Sequence, residues 1–509
     1  RRETLVLARD PLGVRPLYTC EHGGRLFFAS EVKAIFAADR SIPRALDRAG
    51  LDETFTFWGP LAPRTVFEGV EELEPGAVRI HSRAGRTTRA PRPPAFGGFR
   101  GSLEDATEAV HAALEESTRL RMVRADVPVG SYLSGGLDSS LVAALALRAH
   151  TGRLTTFSLR FEDAEYDETR FQRLVAERLE SDHREIVVSS AAIARAFPDV
   201  ILHAERPLLR TAPAPLFLLS RLVQREGMKV VLTGEGADEM FAGYDLFREA
   251  KVRRFWARHP ESTWRPLLLD RLYPWLARSP VARRAVARQF FGRDLARHAE
   301  PGFGHAPRWE NARALRRLFS RDVLAAIDGR DPARELVASL PEHAGWSSLA
   351  LDQFLEMKTL LAPYILSAQG DRMLMAHSVE GRFPFLDPNV AALACSLPDA
   401  YKLRILDEKH VLKRAARGLV PDEILARKKQ PYRAPDAAVF VGPAAPDWVP
   451  DVLSERAVAS AGIFDSRAVA RLRAKCASSA SVSNADAMAI AAVLSTQLVH
   501  HHFIQGGRS

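Results

Sequence analysis

A parallel, doubly wound α/β sheet followed by a helical C-terminal part is the fold this sequence predicts, and three observations predict it. Residues 127–147 read as strand, glycine turn and helix: an apolar run ends in Ser134-Gly135-Gly136, and Leu137-Asp138-Ser139-Ser140 leads into an Ala/Leu-rich run. Between 102 and 239, strand-like apolar runs alternate with helical patterns, as a parallel sheet wrapped by helices requires. From about 245 to 505 the pattern is mostly helical.

The block before 102 reads as β-rich. Runs at 3–8 and 25–30 are apolar, and Arg9-Asp10-Pro11-Leu12-Gly13 is a turn between strands. Residues 30–36 start a short helix, and Glu74-Pro75-Gly76 precedes a strand at 77–81. Residues 89–98 have the Pro and Gly content of a linker, so the expected units are 1–90, a linker 91–101, and 102–509. The second unit opens at Ser102-Leu-Glu-Asp105, a capping box, and Leu103, Ala106, Val110, Ala113, Leu114 and Ser117 follow at helical spacing. Strands are expected at 154–161, 185–188 and 228–233, with helices to about 179, at 214–225, 351–361 and 408–418. The Ser/Ala-rich stretch 477–484 reads as a loop and not as a site.

With 47% hydrophobic and 26% charged residues, the chain can bury a sizeable core in water. No apolar run is expected to approach the roughly 18 residues of a membrane span, so no membrane partner is expected. Cys20, Cys395 and Cys476 are odd in number and widely spaced, which fits a reducing, cytoplasmic setting and no zinc site. Cys20 reads as packing, and His500, His501 and His502 point in different directions along one helix, so none receives a metal role. The net charge of +9 reads as arginine spread over solvated faces; no basic run resembles a nucleic-acid arm, and no nucleic-acid partner is expected. The competing class, an RNA-binding protein, would show strongly salt-dependent RNA binding. The chain starts at Arg1 and not Met, and is expected to be a fragment or processed product.

The chemistry sits in loops at strand ends, where ligands bind in such sheets. Gly135 and Gly136 let a backbone approach an anion, the following helix offers free N–H groups, and Ser134, Ser139 and Ser140 add donors. Asp138 can hold Mg²⁺ beside phosphate. No Gly-Lys-Ser/Thr closes the loop, so it is not a Walker A motif. Thr233-Gly234-Glu235-Gly236-Ala237-Asp238-Glu239 places three acids at a second strand end, with Asp238 the metal ligand expected of a Mg²⁺–pyrophosphate partner loop. Two such loops face to face suggest adenylation: a carboxylate attacks the α-phosphorus of ATP and pyrophosphate leaves. Glu380 and Arg382 read equally well as members of an ion pair with Asp371 or Asp387. Lys409-His-Val-Leu-Lys413 and then Arg427-Lys428-Lys429 form a fourth stretch; taken alone the three-residue basic cluster reads as solvated surface, and with ATP chemistry one of its lysines can reach developing negative charge.

Together these motifs resemble the glutamine-dependent asparagine synthetase family. Leu133-Ser-Gly-Gly-Leu-Asp-Ser-Ser140 is similar to its pyrophosphate (PP-loop) motif and Thr233–Glu239 to its second loop, and stretches around 380–387 and Lys429 follow in the same order. A lone Ser-Gly-Gly-x-Asp-Ser would also fit GMP synthetase, argininosuccinate synthetase or tRNA lysidine synthetase. The resemblance implies an ATP-pyrophosphatase domain using ATP and Mg²⁺, in which Leu133, Leu159, Thr233 and Gly234 line the nucleotide site. It implies that Asp138 and Asp238 hold Mg²⁺, that Glu235 supports the β-aspartyl-AMP intermediate, and that Lys429 stabilises the adenylation transition state. Ammonia then attacks, giving asparagine. Arg9–Tyr18 and Phe28–Lys33 resemble the later part of an N-terminal-nucleophile glutaminase domain; the family's first-residue cysteine and glutamine-holding motifs are absent, so glutamine is expected to serve only in a longer protein. Leu209-Arg210-Thr211-Ala-Pro213 stands in place of an Asp-Pro-Ser type stretch, and Ser181–Glu185 in place of a His-His-Glu, which bears on the acceptor acid. β-Lactam synthetases and lasso-peptide cyclases usually carry tyrosine at the second-loop glutamate, so Glu235 argues for intermolecular amidation of aspartate. The assembly state is left open, a homodimer included.

Overall fold

The computed structural model describes residues 3–163, 166–273, 284–428, 432, 434, 437–441, 445–478 and 482–506. The first ninety residues form β1 (Leu5–Ala8), β2 (Tyr18–His22), β3 (Arg25–Ala29), β4 (Val70–Glu72), β5 (Val78–Ser82) and β6 (Gly85–Arg89). These make two antiparallel three-stranded sheets, β1-β5-β6 and β3-β2-β4. Of these strands β2, β4 and β6 were not expected. Gly85–Arg89 has no apolar residue and is exposed throughout, so its pairing with β5 and not burial makes it a strand.

The parallel sheet contains β7 (Val129–Tyr132), β8 (Thr155–Phe161), β9 (Asp182–Val188), β10 (Val230–Leu232) and β11 (Glu380–Arg382), in the order β11-β10-β7-β8-β9. Both faces are buried. Val230 and Leu232 point into a core shared with helices Leu103–Val123 and Leu137–Arg148, while Val231 and Phe157 point into the opposite core with Ser190–Ala204 and Pro213–Arg225. The two-residue alternation along β10 is the pleat of a strand covered on both sides. The chain runs outward from β7 through β8 to β9, then returns to the other side of β7 for β10 and β11. That reversal places the topological switch point between β7 and β10.

The expected capping box is present: Asp105 N–H donates to Ser102 Oγ at 3.1 Å, and Asp105 Oδ2 accepts Ser102 N–H at 2.7 Å. The helix expected at 351–361 differs. Ser348–Glu356 is α-helical, and Met357–Asp371 continues as a wider coil that accommodates Pro363, which has no N–H to donate. The Pro363 carbonyl accepts Arg206 Nη1 at 2.8 Å. The helix expected at 408–418 shortens to His410–Ala415 because Lys409 turns left-handed at φ +53°.

One expectation is corrected. Asn484–Ile504 is long and apolar enough, by length and composition, to cross a membrane. Its apolar window is 78% buried inside the protein, where Ile490, Val493 and Leu494 pack in the same core as Phe197 and Val200. It is a core helix, apolar over most of its length because most of it is enclosed by the protein.

Candidate active site

Loops 134–140 and 233–239 leave adjacent parallel strands at the switch point, with Val230 paired to Val129 and Leu232 to Ser131. The first is shaped by its own hydroxyls. Ser139 Oγ accepts Ser134 N–H at 3.1 Å and lies 2.9 Å from Ser134 Oγ, and Ser140 Oγ donates to Gly136 O at 2.7 Å. Gly135 has φ +73°, and a Cβ there would sit 2.7 Å from Gln172 N, so only glycine passes. Gly136 caps the helix Leu137–Arg148, whose first N–H groups face the cavity end of the sheet.

The second loop touches the first. A Cβ on Gly234 would lie 3.0 Å from Asp138 Cβ and 3.1 Å from Ser139 N. Gly236 has φ +93°, and a Cβ there would run into the Leu386 side chain. Gly236→Ala is therefore expected to destabilise the protein by about 1–3 kcal/mol through overpacking, besides its left-handed strain. Gly462→Ala, at φ +70° with open space around it, carries the strain alone. Urea denaturation of the two variants checks this; equal midpoints would mean that the loop is not packed as described.

Asp138 and Asp238, one from each loop, converge on a single cation. Lys409 Nζ lies 2.6 Å from Asp138 Oδ2, 2.7 Å from Asp138 Oδ1 and 2.6 Å from Asp238 Oδ1. Lys409 is 2% exposed. Its left-handed backbone aims the side chain inward, and Gly243 leaves room for it, since a Cβ there would overlap both Lys409 Cε and Asp238 Oδ1. Two carboxylates sharing one positive charge, beside hydroxyls and helix-terminal N–H groups, are a donor set that suits Mg²⁺ with phosphate oxygens.

The neighbouring electrostatics are set by burial. Glu239 accepts Tyr244 O–H at 2.8 Å, and burial, then Asp238, pushes its pKa up to about 8. Glu356, also buried, goes the other way, to about 2: Arg308 and His305 outweigh desolvation, with Arg308 Nη1 at 2.7 Å and His305 Nε2 at 2.8 Å. Gln353 Nε2 donates to Glu239 O at 2.6 Å and is held by Lys402 Nζ at 2.7 Å, fixing the short helix Ala237–Met240 from behind.

A cavity of about 810 Å³ opens over this crevice, and its lining includes Leu133, Ser134, Gly136, Asp138, Ser139, Leu159, Thr233, Gly234, Glu235 and Asp238. Gly135 and Ser140 shape the loop from behind. Leu159 is fixed by Gln172 Nε2 donating to its carbonyl at 3.0 Å, and Leu133 N–H donates to Phe157 O at 2.8 Å. Lys429 lies outside the described residues.

Other residues fall elsewhere than expected. Glu380 pairs with Arg382 at 2.8 Å, Asp387 with Arg121 at 3.0 Å and Asp371 with Arg15, so the pairs exist with other partners, away from the cavity. Arg427 is not solvated surface: its Nη1 donates to Gly135 O at 3.0 Å, it pairs with Glu168, and it lies 4.2 Å over the Phe171 ring. The 477–484 stretch, read as a loop away from any site, brings Val482 and Asn484 into the cavity wall. Tyr132 and Trp58 are cavity residues that the sequence did not single out, and the bridge that Lys409 makes to both loops was not among its expected parts.

Comparison with known proteins follows the same lines. The asparagine synthase family profile matches residues 109–501, and a glutamine amidotransferase domain profile matches residues 1–91. A putative glutamine-hydrolysing asparagine synthetase of Mycobacterium tuberculosis (strain H37Rv) is 32% identical over 439 residues, covering 85% of this chain and 65% of that protein. Asparagine synthetase 1 of Bacillus subtilis is 29% identical over 429 residues, covering 84% and 65%. Amidase chyE of Penicillium rubens is 29% identical over 476 residues, covering 85% and 68%. The chain thus spans about 65% of the length of the synthetases it matches. With nearly four hundred residues under one profile, from the helix before the first loop to the last core helix, this chain belongs to the asparagine synthase family.

Proposed function

We propose that the chain is an ATP-dependent, AMP-forming amide ligase that converts aspartate to asparagine. The observation that carries this reading is the convergence of Asp138 and Asp238 on one cationic point at the sheet's switch point. The substrate carboxylate oxygen bonds to the α-phosphorus of ATP as the bond to pyrophosphate breaks. Ammonia nitrogen then bonds to the acyl carbon of β-aspartyl-AMP, AMP leaves, and one nitrogen proton passes to solvent.

Each residue has a part. Ser134, Ser139, Ser140 and the N–H groups after Gly136 receive the leaving pyrophosphate, and Lys409 offsets its charge. Leu133, Leu159, Thr233 and Gly234 bind the nucleoside. Glu235 supports the intermediate, and Lys429 stabilises the transition state. Mg²⁺ would be held by Asp138 and Asp238 and would neutralise charge on the phosphates. The division at 1–90, 91–101 and 102–509 belongs to this reading, with the first unit of glutamine amidotransferase type and ammonia as the nitrogen donor. A reducing, cytoplasmic setting suits the three buried, unpaired cysteines.

The test is to incubate the chain with ATP, Mg²⁺, aspartate and ammonium, and to measure pyrophosphate and asparagine. Acid-dependent pyrophosphate release is the expected result. Its absence with every carboxylate tried would sink the ligase reading.

A further inference from the structure

The chemistry above uses the phosphate end of the cavity. The same cavity also carries polar groups that find no partner in the fold. Trp58 is the one residue of the described first ninety that lines the cavity, and its Nε1–H is buried without a hydrogen-bond partner. The hydroxyls of Tyr132 and Tyr432 are likewise buried and unpartnered on the same wall. Burial raises both pKa values well above the ordinary phenol, with Glu235 adding to the effect at Tyr132 and Tyr364 adding to it at Tyr432, so both stay protonated donors. Arg210 places its guanidinium 5.5 Å over the Trp58 ring, and its Nη1 donates to Asn484 Oδ1 at 2.6 Å. Trp58 in turn meets Tyr364 edge-on at 5.6 Å. Leu216, Leu219 and Leu360 supply the aliphatic wall.

Buried donors without partners call for a ligand rich in acceptors. Free aspartate answers poorly. Its α-ammonium adds a donor to a wall already rich in donors, where Glu168 is paired with Arg427. It also has no apolar surface to cover the leucines or the faces of the aromatic rings.

We propose that the preferred acceptor is a dicarboxylic acid bearing an apolar or aromatic substituent in place of a free ammonium, such as an N-acylated aspartate. One carboxylate is adenylated, the other meets Arg210, and carbonyl oxygens take the N–H of Trp58 and the hydroxyls of Tyr132 and Tyr432. This rests on the AMP-forming reading and replaces only its acid. The bonds made and broken are those given for aspartate.

The experiment is acid-dependent exchange of labelled pyrophosphate into ATP by the full chain with Mg²⁺, comparing aspartate, N-acetyl-aspartate and N-benzoyl-aspartate. The expected order is N-benzoyl above N-acetyl above free aspartate, with kcat/KM for the first at least ~10-fold above the last. Trp58→Phe, which keeps an aromatic ring and removes the donor, is expected to narrow that ratio, mainly through KM for the acylated acid. Aspartate equal to or better than both acylated acids overturns the inference and leaves the ligase reading standing. No exchange with any of the three overturns both. An unchanged ratio in Trp58→Phe overturns the part assigned to its N–H.

Discussion

Lys409→Met is expected to lower pyrophosphate-forming turnover by about 10²–10³-fold, the loss typical when a fixed positive group is removed from developing phosphate charge. The effect is large because Lys409 has two parts. In the proposed reaction it faces the leaving group, and it holds Asp138 and Asp238 together at 2.6 Å each. Methionine keeps the length and the packing against Gly243 but leaves two carboxylates facing each other with no cation between them. Two carboxylates that repel each other no longer hold the two loops in register. Lys413→Met is the comparison: Lys413 Nζ sits on Asp407 at 2.7 Å and Glu408 at 3.2 Å, one helical turn away, and a much smaller loss is expected. Equal losses in the two variants would mean that general positive charge, and not the bridge, matters.

The bridge also shows what could be read from the chain and what could not. The loops at 134–140 and 233–239 were legible because their signals are local: a strand, glycines where a backbone must pass close to another, and a helix start. Their adjacency followed from the parallel-sheet rule, which places strand ends on one edge. Lys409 was not legible, because its role depends on one left-handed residue and on a glycine 166 positions earlier that leaves space for it. β11 escaped for a related reason. Glu380-Gly381-Arg382 has no apolar residue, and only its register against Val230–Leu232 makes it a strand. Arg427 read as one of three basic residues in a row, and its carbonyl partner at Gly135 is 292 positions away. Charged side chains choose partners by tertiary geometry, so a pair guessed by proximity in sequence fails even where the residues are indeed paired. Asp371 and Asp387 show this, with Arg15 and Arg121 as partners.

Arg372→Met carries the largest expected effect on stability, about 3–5 kcal/mol, the cost of leaving a buried charge without its partner. Arg372 is 1% exposed and lies 3.0 Å from Glu205 and 3.2 Å from Glu31, with its guanidinium 5.2 Å from the Tyr18 ring. Glu205 also accepts the N–H groups of Val32 and Lys33 at 2.8 Å each. Tyr18, Glu31, Val32 and Lys33 belong to the first block, and Arg372 and Glu205 to the body of the parallel sheet, so this guanidinium is one of the ties between them. Without it the Glu205 carboxylate keeps two backbone donors and Lys33 Nζ at 3.5 Å but loses its nearer, buried counter-charge. Urea denaturation should show the midpoint falling, with the tryptophan fluorescence of Trp58, at the junction, changing before the global transition. Arg119→Met, which removes an exposed pair with Glu116 at 2.7 Å, should leave the midpoint unmoved. Arg372→Met combined with Glu205→Gln should recover part of the loss, because the orphaned charge is then gone; a double variant no more stable than Arg372→Met would show that packing against Tyr18, and not charge, holds the junction.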